Sequence, residues 1–299
     1  MTKLTRALVQ RHAGRPDAYG AALLDIAQDH VLWTIADAGL FDDDQLTFKG
    51  GTSLRKCRLG SVGRFSTDLD FTAPNDDVVL DVCEVIDGTS IAGFHFTLEP
   101  SRGGGRHWRL GIVHDELGTP DLQASVEFAT RPLLCTPDRA GFVPSPIHKA
   151  YEIDLPTVPI ITEAEACAEK LARYRRVALA RDLYDLAQFA QRNLDETLVR
   201  RLWILKGWAD VVDDSRGNKP LHPNDILRQR KPSEFEAESI GVLTRPIDIP
   251  AWEQSVRTRF AFLAQLDPDE QTWANCDPRD RRSIESASGV QRSQPVRPA

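Results

Sequence analysis

The segment KGGTSLRKCRLGSVGRFSTDLDFT, residues 49–72, places two aspartates, Asp68 and Asp70, one residue apart and close behind a glycine pair, Gly50 and Gly51. In a β-strand, residues i and i+2 face the same way, so these carboxylates share one side with their Cα atoms about 6.5 Å apart. Phe65, Leu69 and Phe71 fall on the opposite side. Carboxylates that close repel each other unless a cation lies between them. Magnesium binds through one or two carboxylates together with substrate phosphates. Two such ions about 3.5–4 Å apart can activate an attacking oxygen and stabilise a leaving pyrophosphate. Glycines permit close backbone approach and offer N–H groups, which suits a polyphosphate. Taken alone, a D-x-D pair reads more simply as the solvated face of a strand. Its position after a glycine turn and a helical run, bracketed by Phe65 and Phe71, favours the metal reading.

The elements that must position these groups follow from periodicity. Residues 17–40 carry apolar side chains at helical spacing and predict one or two amphipathic helices. LTFKGG predicts a short strand running into a glycine turn, SLRKCRL a helical run, RFSTDLDFT a strand and VVLDVCEVI a helix. AGFHFTLEP, RHWRLGIVH and LQASVEFAT alternate with period two and predict an antiparallel meander. The expected fold class is α+β: a sheet of four or five strands with flanking helices over residues 1–150, then a mostly helical domain over 160–279. The stretch Pro137–Pro159, with prolines at 137, 144, 146, 156 and 159, is the expected connector. Thr162-x-x-Glu165 has the pattern of a capping box opening the helical half. Residues 280–299 are polar and predict a disordered tail.

Composition narrows the function classes. The chain has 299 residues, 41% hydrophobic and 27% charged, with a formal charge of -7. It can therefore bury a sizeable core, and any nucleic-acid binding must use a local patch rather than an overall positive field. The five cysteines are scattered, without a C-x-x-C pair, which argues against a disulfide framework or a structural zinc site. No signal peptide or membrane span is visible, so the expected compartment is the cytoplasm.

KGGTSLRK followed by GRFSTDLDFT resembles the signature of the AbiEii-type nucleotidyltransferases, a branch of the DNA-polymerase-β-like superfamily that includes the MenT toxins of mycobacteria. The resemblance extends through EKLARYRRVALARDLYDL and covers roughly residues 45–265. It implies a nucleotidyltransferase fold and a toxin that transfers a nucleoside monophosphate from an NTP to the acceptor end of tRNA, restrained by a cognate antitoxin. It further implies that Gly50, Gly51 and Ser53 hold the triphosphate and that Asp68 and Asp70 bind Mg2+. Glu127 is either a third metal carboxylate or a solvent-facing strand acid. Arg55 and Lys56 either contact phosphate or belong to the helix surface. Ser66 is either a nucleotide contact and phosphorylation point, where a phosphate would add about -1.5 to -2 charge beside the carboxylates, or a plain strand hydroxyl.

Lys170 and Asp185 carry the later motifs. On one continuous helix they would stand about 22 Å apart. Asp182 is a good N-cap residue, so a break near Ala180–Asp182 is predicted, folding a hairpin that returns Asp185 toward Lys170. The resemblance makes Lys170 a triphosphate contact and Asp185 an active-site acid completing the cleft; without it, both read as surface residues of charged helices. Arg173, Arg175, Arg176, Arg181, Arg192, Arg200, Arg201, Lys206, Arg228, Arg230 and Lys231 crowd the helical half. Each alone is a solvated helix charge; together they suggest an RNA surface. Arg102 and Arg106 of an expected hairpin loop are weaker candidates for RNA contact. Trp203 and Trp208 have core spacing.

Overall fold

The computed structural model of the chain describes residues 3–101, 104–118, 122–213, 221–235, 240–275 and 285–289. It divides into two compact units: Met1–Leu133 with Pro137–Ile161 and Gly241–Pro246, and Leu134–Thr136 with Thr162–Ile240 and Ile247–Ala299.

The first unit is an α+β fold. Helix α1 (Arg6–Ala13) is capped by the Thr5 hydroxyl, which accepts from Leu8 N, and ends at Gly14, whose φ of 71° suits a residue without Cβ. Helix α2 (Tyr19–Asp37) buries an almost continuous surface, from Ala22 to Leu32. Strand β1 (Thr47–Lys49) runs directly into α3 (Gly50–Leu54), which continues as a wider π-type turn over Arg55–Leu59. Strand β2 (Asp68–Thr72) follows, then α4 (Asp76–Ile86), capped by Asn75, whose side chain accepts from Val78 N at 3.0 Å. The meander comprises β4 (Phe94–Pro100), β5 (His107–His114) and β6 (Leu122–Ala129), with β3 (Ser90–Ile91) at its edge. Phe94, Phe96, Leu110, Ile112, Val126 and Phe128 alternate inward along it and build the core with α2 and α4. Burying each such side chain stabilises by about 1.5–3 kcal/mol.

The proline-rich stretch is not a connector. It forms β7 (Asp138–Ala140), a 3-10 turn over Pro146–Ala150, and β8 (Val158–Ile160). The described sheet has the order β3-β4-β5-β6-β2-β1-β8-β7. Phe48 pairs with Ile160 in parallel, and all of β8 is buried. Prolines suppress any strand pattern in the sequence, yet Pro159 sits in the middle of β8, opposite Arg139 of β7. The unit therefore extends to Ile161, beyond the expected limit at 150.

The second unit is helical. Helices α5 (Glu163–Arg176), α6 (Ala180–Phe189) and α7 (Glu196–Asp213) pack together, with α8 (Asn224–Leu227) against α5, α9 (Ile249–Arg259) against α6, and α10 (Pro268–Asn275) against α7. Trp203 and Trp208 are buried in its core. Only half of the expected capping box forms. The Thr162 hydroxyl accepts from Glu165 N, but the Glu165 carboxylate accepts instead from Leu134 N, Cys135 N and Lys206 Nζ. Of the expected tail 280–299, only 285–289 are described, and they are helical. Among the described residues, no helix is long and apolar enough to cross a membrane.

Candidate active site

The acid pair stands where strand alternation puts it. Leu69 and Phe71 are fully buried, while Asp68 and Asp70 occupy the other, partly exposed face of β2. The neighbouring strands extend that face. In the parallel register with β6, Asp68 lies opposite Ser125 and Asp70 opposite Glu127. In the antiparallel register with β1, Asp70 lies opposite Lys49. A row Glu127–Asp70–Lys49 thus crosses three strands, with Asp68 one pleat away. Glu127 is half-exposed, with His107 Nδ1 3.7 Å from its carboxylate. Among the described residues, no three His, Cys, Asp or Glu side chains converge to hold a metal ion. Asp68 and Asp70 are hard oxygen donors on this face of β2, the donor type that suits Mg2+. Glu127 borders them without closing a three-acid cage.

The glycine pair is fitted to the groups facing it. Gly50 has φ 77°, and a Cβ built there would lie 1.8 Å from Asp70 Oδ2. No other residue leaves the Asp70 carboxylate in place. A Cβ on Gly51 would lie 2.4 Å from Arg64 Nη2 and 3.1 Å from Ser66 Oγ. The turn therefore seats a carboxylate on its first glycine and a guanidinium on its second. Ser53 is buried, and its hydroxyl donates to Gly50 O at 2.9 Å, bracing the turn from within. The Thr52 hydroxyl donates to Asp68 O, tying the turn to β2. The Thr67 hydroxyl donates to Asp68 Oδ1 at 3.0 Å. Ser66 is buried, its hydroxyl beside Gly51 and its carbonyl accepting from Gln28 Nε2 at 3.1 Å.

Lys56 is placed differently from its expected nucleotide contact. Its ammonium donates to Asp25 O at 2.7 Å, Asp25 Oδ1 at 3.2 Å and Asp29 Oδ1 at 2.5 Å, using all three of its hydrogens. Burial would lower its pKa, but the Asp25 and Asp29 carboxylates prevail and raise it, so it stays charged. Arg55 is likewise committed. Its guanidinium donates to Asp25 Oδ1 and Gly63 O and lies 3.8 Å over the Phe65 ring. His12 Nε2 meets Asp25 Oδ2 at 2.8 Å, and the Tyr151 hydroxyl donates to Asp29 Oδ2 at 2.6 Å. Burial works against the Asp25 carboxylate, yet Lys56, Arg55 and His12 together hold it well below the usual carboxylate range. This buried network clamps the segment between the glycines and β2 onto α2.

In the helical unit the predicted break occurs at Val177–Leu179, between α5 and α6, and the hairpin returns Asp185 to Lys170. Lys170 Nζ lies 2.7 Å from Asp185 Oδ2 and 3.3 Å from Asp182 Oδ1. Asp182 is not the N-cap: that position is Leu179, without a side-chain cap, because β-region Val177 and Leu179 make the break themselves. Asp182 is fully buried and also accepts from Arg173. Burial pushes its carboxyl up, but Lys170 and Arg173 outweigh it and hold it below the usual range.

The expected RNA surface is largely engaged internally. Arg192 binds Glu163, Arg200 binds Glu270, and Arg201 reaches Asp267 and Glu270. Lys206 binds Glu165 and Glu169, Arg228 binds Glu234, and Arg230 stacks on Tyr174 at 4.0 Å. Most of these acids lie tens of residues away in sequence, which a count of basic residues along the chain cannot reveal. Arg106 pairs with Asp76, and Arg102 lies outside the described residues. Lys49, opposite Asp70 across β1 and β2, and Arg64, against Gly51, border this face and were not among the expected site residues. Lys49 directly precedes the glycine pair, and Arg64 falls within the GRFSTDLDFT motif.

Comparison with known proteins agrees with this geometry. The family model described as nucleotidyl transferase AbiEii toxin, type IV TA system, matches residues 36–281. The structure of MenT4, a nucleotidyltransferase toxin from Mycobacterium tuberculosis H37Rv, is 62% identical in sequence and superposes with a TM-score of 0.92, covering 97% of this chain and 100% of that one. A putative nucleotidyltransferase from H. pylori (14% identity, TM-score 0.46, 82% of this chain and 95% of that one) and JHP933 from Helicobacter pylori (15%, 0.45, 83% and 94%) are too distant to carry an argument. No curated protein matches. With a family model spanning most of its length and a solved relative at that identity, the chain belongs to the AbiEii nucleotidyltransferase toxins of type IV toxin–antitoxin systems.

Proposed function

We propose that the protein transfers a nucleoside monophosphate from an NTP to the 3′ end of tRNA in the cytoplasm, blocking translation, with Mg2+ held by Asp68 and Asp70. The observation that carries this reading is the contact between Gly50 and Asp70, in which a position that excludes any side chain admits a carboxylate beside a second carboxylate on the same strand face. When bound there, magnesium would supply charge neutralisation at the phosphates and a more acidic attacking hydroxyl. The protein's own part is positioning and electrostatics. Gly50, Gly51, Ser53 and Ser66 border the triphosphate, and Asp68 and Asp70 orient its reacting end. Glu127 stands beside Asp70 as an outer acid. The parts of Lys170 as triphosphate contact and Asp185 as active-site acid rest on the family resemblance. Membership of a toxin–antitoxin system supplies the expected protein partner, an antitoxin.

The test is a transfer assay with each of the four α-labelled NTPs against mixed tRNA, with and without EDTA. Label entering the tRNA band with one or more nucleotides, and vanishing with EDTA, is the expected result. Label in a protein or small-molecule fraction instead would replace tRNA as the acceptor. Absence of metal-dependent triphosphate turnover with every acceptor would turn the chain into a silent binding subunit.

A further inference from the structure

Resting on the nucleotidyltransferase reading above, we propose that the His107 ring stacks on the terminal nucleotide of the acceptor RNA, on the side of the acid pair opposite the glycine turn. Strand register carries the row across the acids one strand further. His107 of β5 lies opposite Glu127 of β6, as Glu127 lies opposite Asp70 and Asp70 opposite Lys49. Directly opposed residues of neighbouring strands project from the same face. The His107 imidazole therefore stands on the face that carries Asp68 and Asp70. Two strand spacings put its Cα about 10 Å from that of Asp70.

The geometry of the reaction assigns the two ends of this row. Displacement at phosphorus needs the attacking and leaving oxygens roughly in line. Gly50 follows Lys49 of β1 and packs on Asp70, so the triphosphate of that reading, and the leaving pyrophosphate with it, belongs to the β1 side of the acids. The attacking 3′-hydroxyl then comes from the β6–β5 side, over Glu127 and His107. What stands there suits a nucleoside better than a phosphate. Glu127 presents a carboxylate, and Arg109, next along this face of β5, is tied to Glu99. His107 itself has half of its side chain exposed, and the Glu127 carboxylate 3.7 Å from its Nδ1 orients the ring. Its backbone is fixed on both sides: His107 N donates to Gly104 O at 3.1 Å, and His107 O accepts from Ser101 N at 2.8 Å. Unpaired RNA bases stack on aromatic side chains, histidine among them, and rings displayed on a sheet face are a recurrent platform for them.

The experiment uses the full chain and measures KM for mixed tRNA and for the labelled NTP, together with equilibrium binding of fluorescent tRNA with and without its terminal nucleotide. His107→Ala is expected to raise KM for tRNA about tenfold, the scale of one lost base stack, while KM for the NTP stays within about twofold. Binding of intact tRNA should weaken by a similar factor, and binding of the shortened tRNA should not change, because the partner of the ring is already gone. His107→Phe keeps a flat ring and should stay within about threefold of wild type. His107→Gln keeps a polar contact for Glu127 but loses the ring, so it should match His107→Ala, and it carries the test if His107→Ala melts early. An unchanged KM for tRNA in His107→Ala, an equal rise in KM for the NTP, or equal loss of affinity for intact and shortened tRNA would each overturn the assignment and leave the nucleotidyltransferase reading intact. So would a His107→Phe protein as impaired as His107→Ala, or a His107→Gln protein that behaves as wild type. Transfer to no RNA at all by the unmutated protein would overturn both.

Discussion

The two units each carry a pair of closely spaced aspartates, and the pairs live in opposite circumstances. Asp68 and Asp70, two apart on strand β2, share a partly exposed face beside a third acid, Glu127. Asp182 and Asp185, three apart on helix α6, are buried and share the ammonium of Lys170, with Arg173 added on Asp182. Spacing explains the shared face in both, two residues for a strand and three for a helix. It does not explain why one pair is buried and the other partly exposed. A buried carboxylate without a cation costs several kcal/mol, so removing Lys170 or Arg173 from the helical pair leaves an uncompensated charge. The strand pair stands on a partly exposed face of β2.

Substitutions can break or sharpen that contrast. Asp70→Asn should reduce nucleotide transfer by at least about 10³-fold, the scale on which preorganised electrostatic groups act, while the urea midpoint stays near wild type. A large loss of stability there would erase the difference between the pairs. Removing one partner of the buried group should do the reverse. Asp182→Ala is expected to destabilise by about 3–5 kcal/mol, since Lys170 and Arg173 lose their shared acceptor, read as a shift in urea unfolding. Lys170→Ala should abolish transfer if the family role holds, and it should also lower the unfolding midpoint, because Asp182 and Asp185 are left buried beside the gap. A Lys170→Ala protein as stable as wild type would show that this ion cluster contributes nothing structural.

Gly50→Ala probes the seat of the strand pair. Its left-handed backbone adds about 1–2 kcal/mol of strain, and its Cβ overlaps Asp70 Oδ2. Transfer should fall about 10²-fold with a modest drop in melting temperature. Equal activity in Gly50→Ala would show that Asp70 can move without consequence. The smallest effect is in the acid limb of stability. The Asp182 carboxyl is held below its unfolded-state value of about 3.9. Its contribution is therefore complete above that value and is lost as pH falls through the lower folded pKa. Urea titrations between pH 5 and 2.5 should give a shallower acid loss in Asp182→Asn than in wild type, by at most about 1.4 kcal/mol per pH unit.

Much of this was legible from local pattern. The meander β4–β6 reads from its alternation, and the outward face of Asp68 and Asp70 from strand parity. The turn between α5 and α6 reads from the need to bring Asp185 back to Lys170, though it falls three residues earlier than the cap residue suggested, because extended Val177 and Leu179 break the helix without a side-chain cap. Other features have no local signature. Strand β8 is three residues long, contains a proline and pairs with β1, more than a hundred residues away in the chain. Lys56 looked available for phosphate because its acceptors, Asp25 and Asp29, lie on α2, some thirty residues earlier. The arginines of the helical unit looked like a patch because Glu270, Asp267 and Glu163 join them only on folding.

What the chain order alone determined here is the chemistry on offer. A two-residue repeat sends both strand acids to one side, and paired glycines just upstream mark a backbone that something must approach closely. The tertiary structure alone decided what each charge meets. Lys56 and Arg55 turned inward to acids on α2, Lys170 was shared between two aspartates, and Arg64 came to rest on a glycine that no neighbouring residue in the sequence singles out. The physical reason is that alternation depends on the geometry of adjacent residues, whereas the pairing of a charge depends on whichever opposite charge the fold brings within a few ångströms.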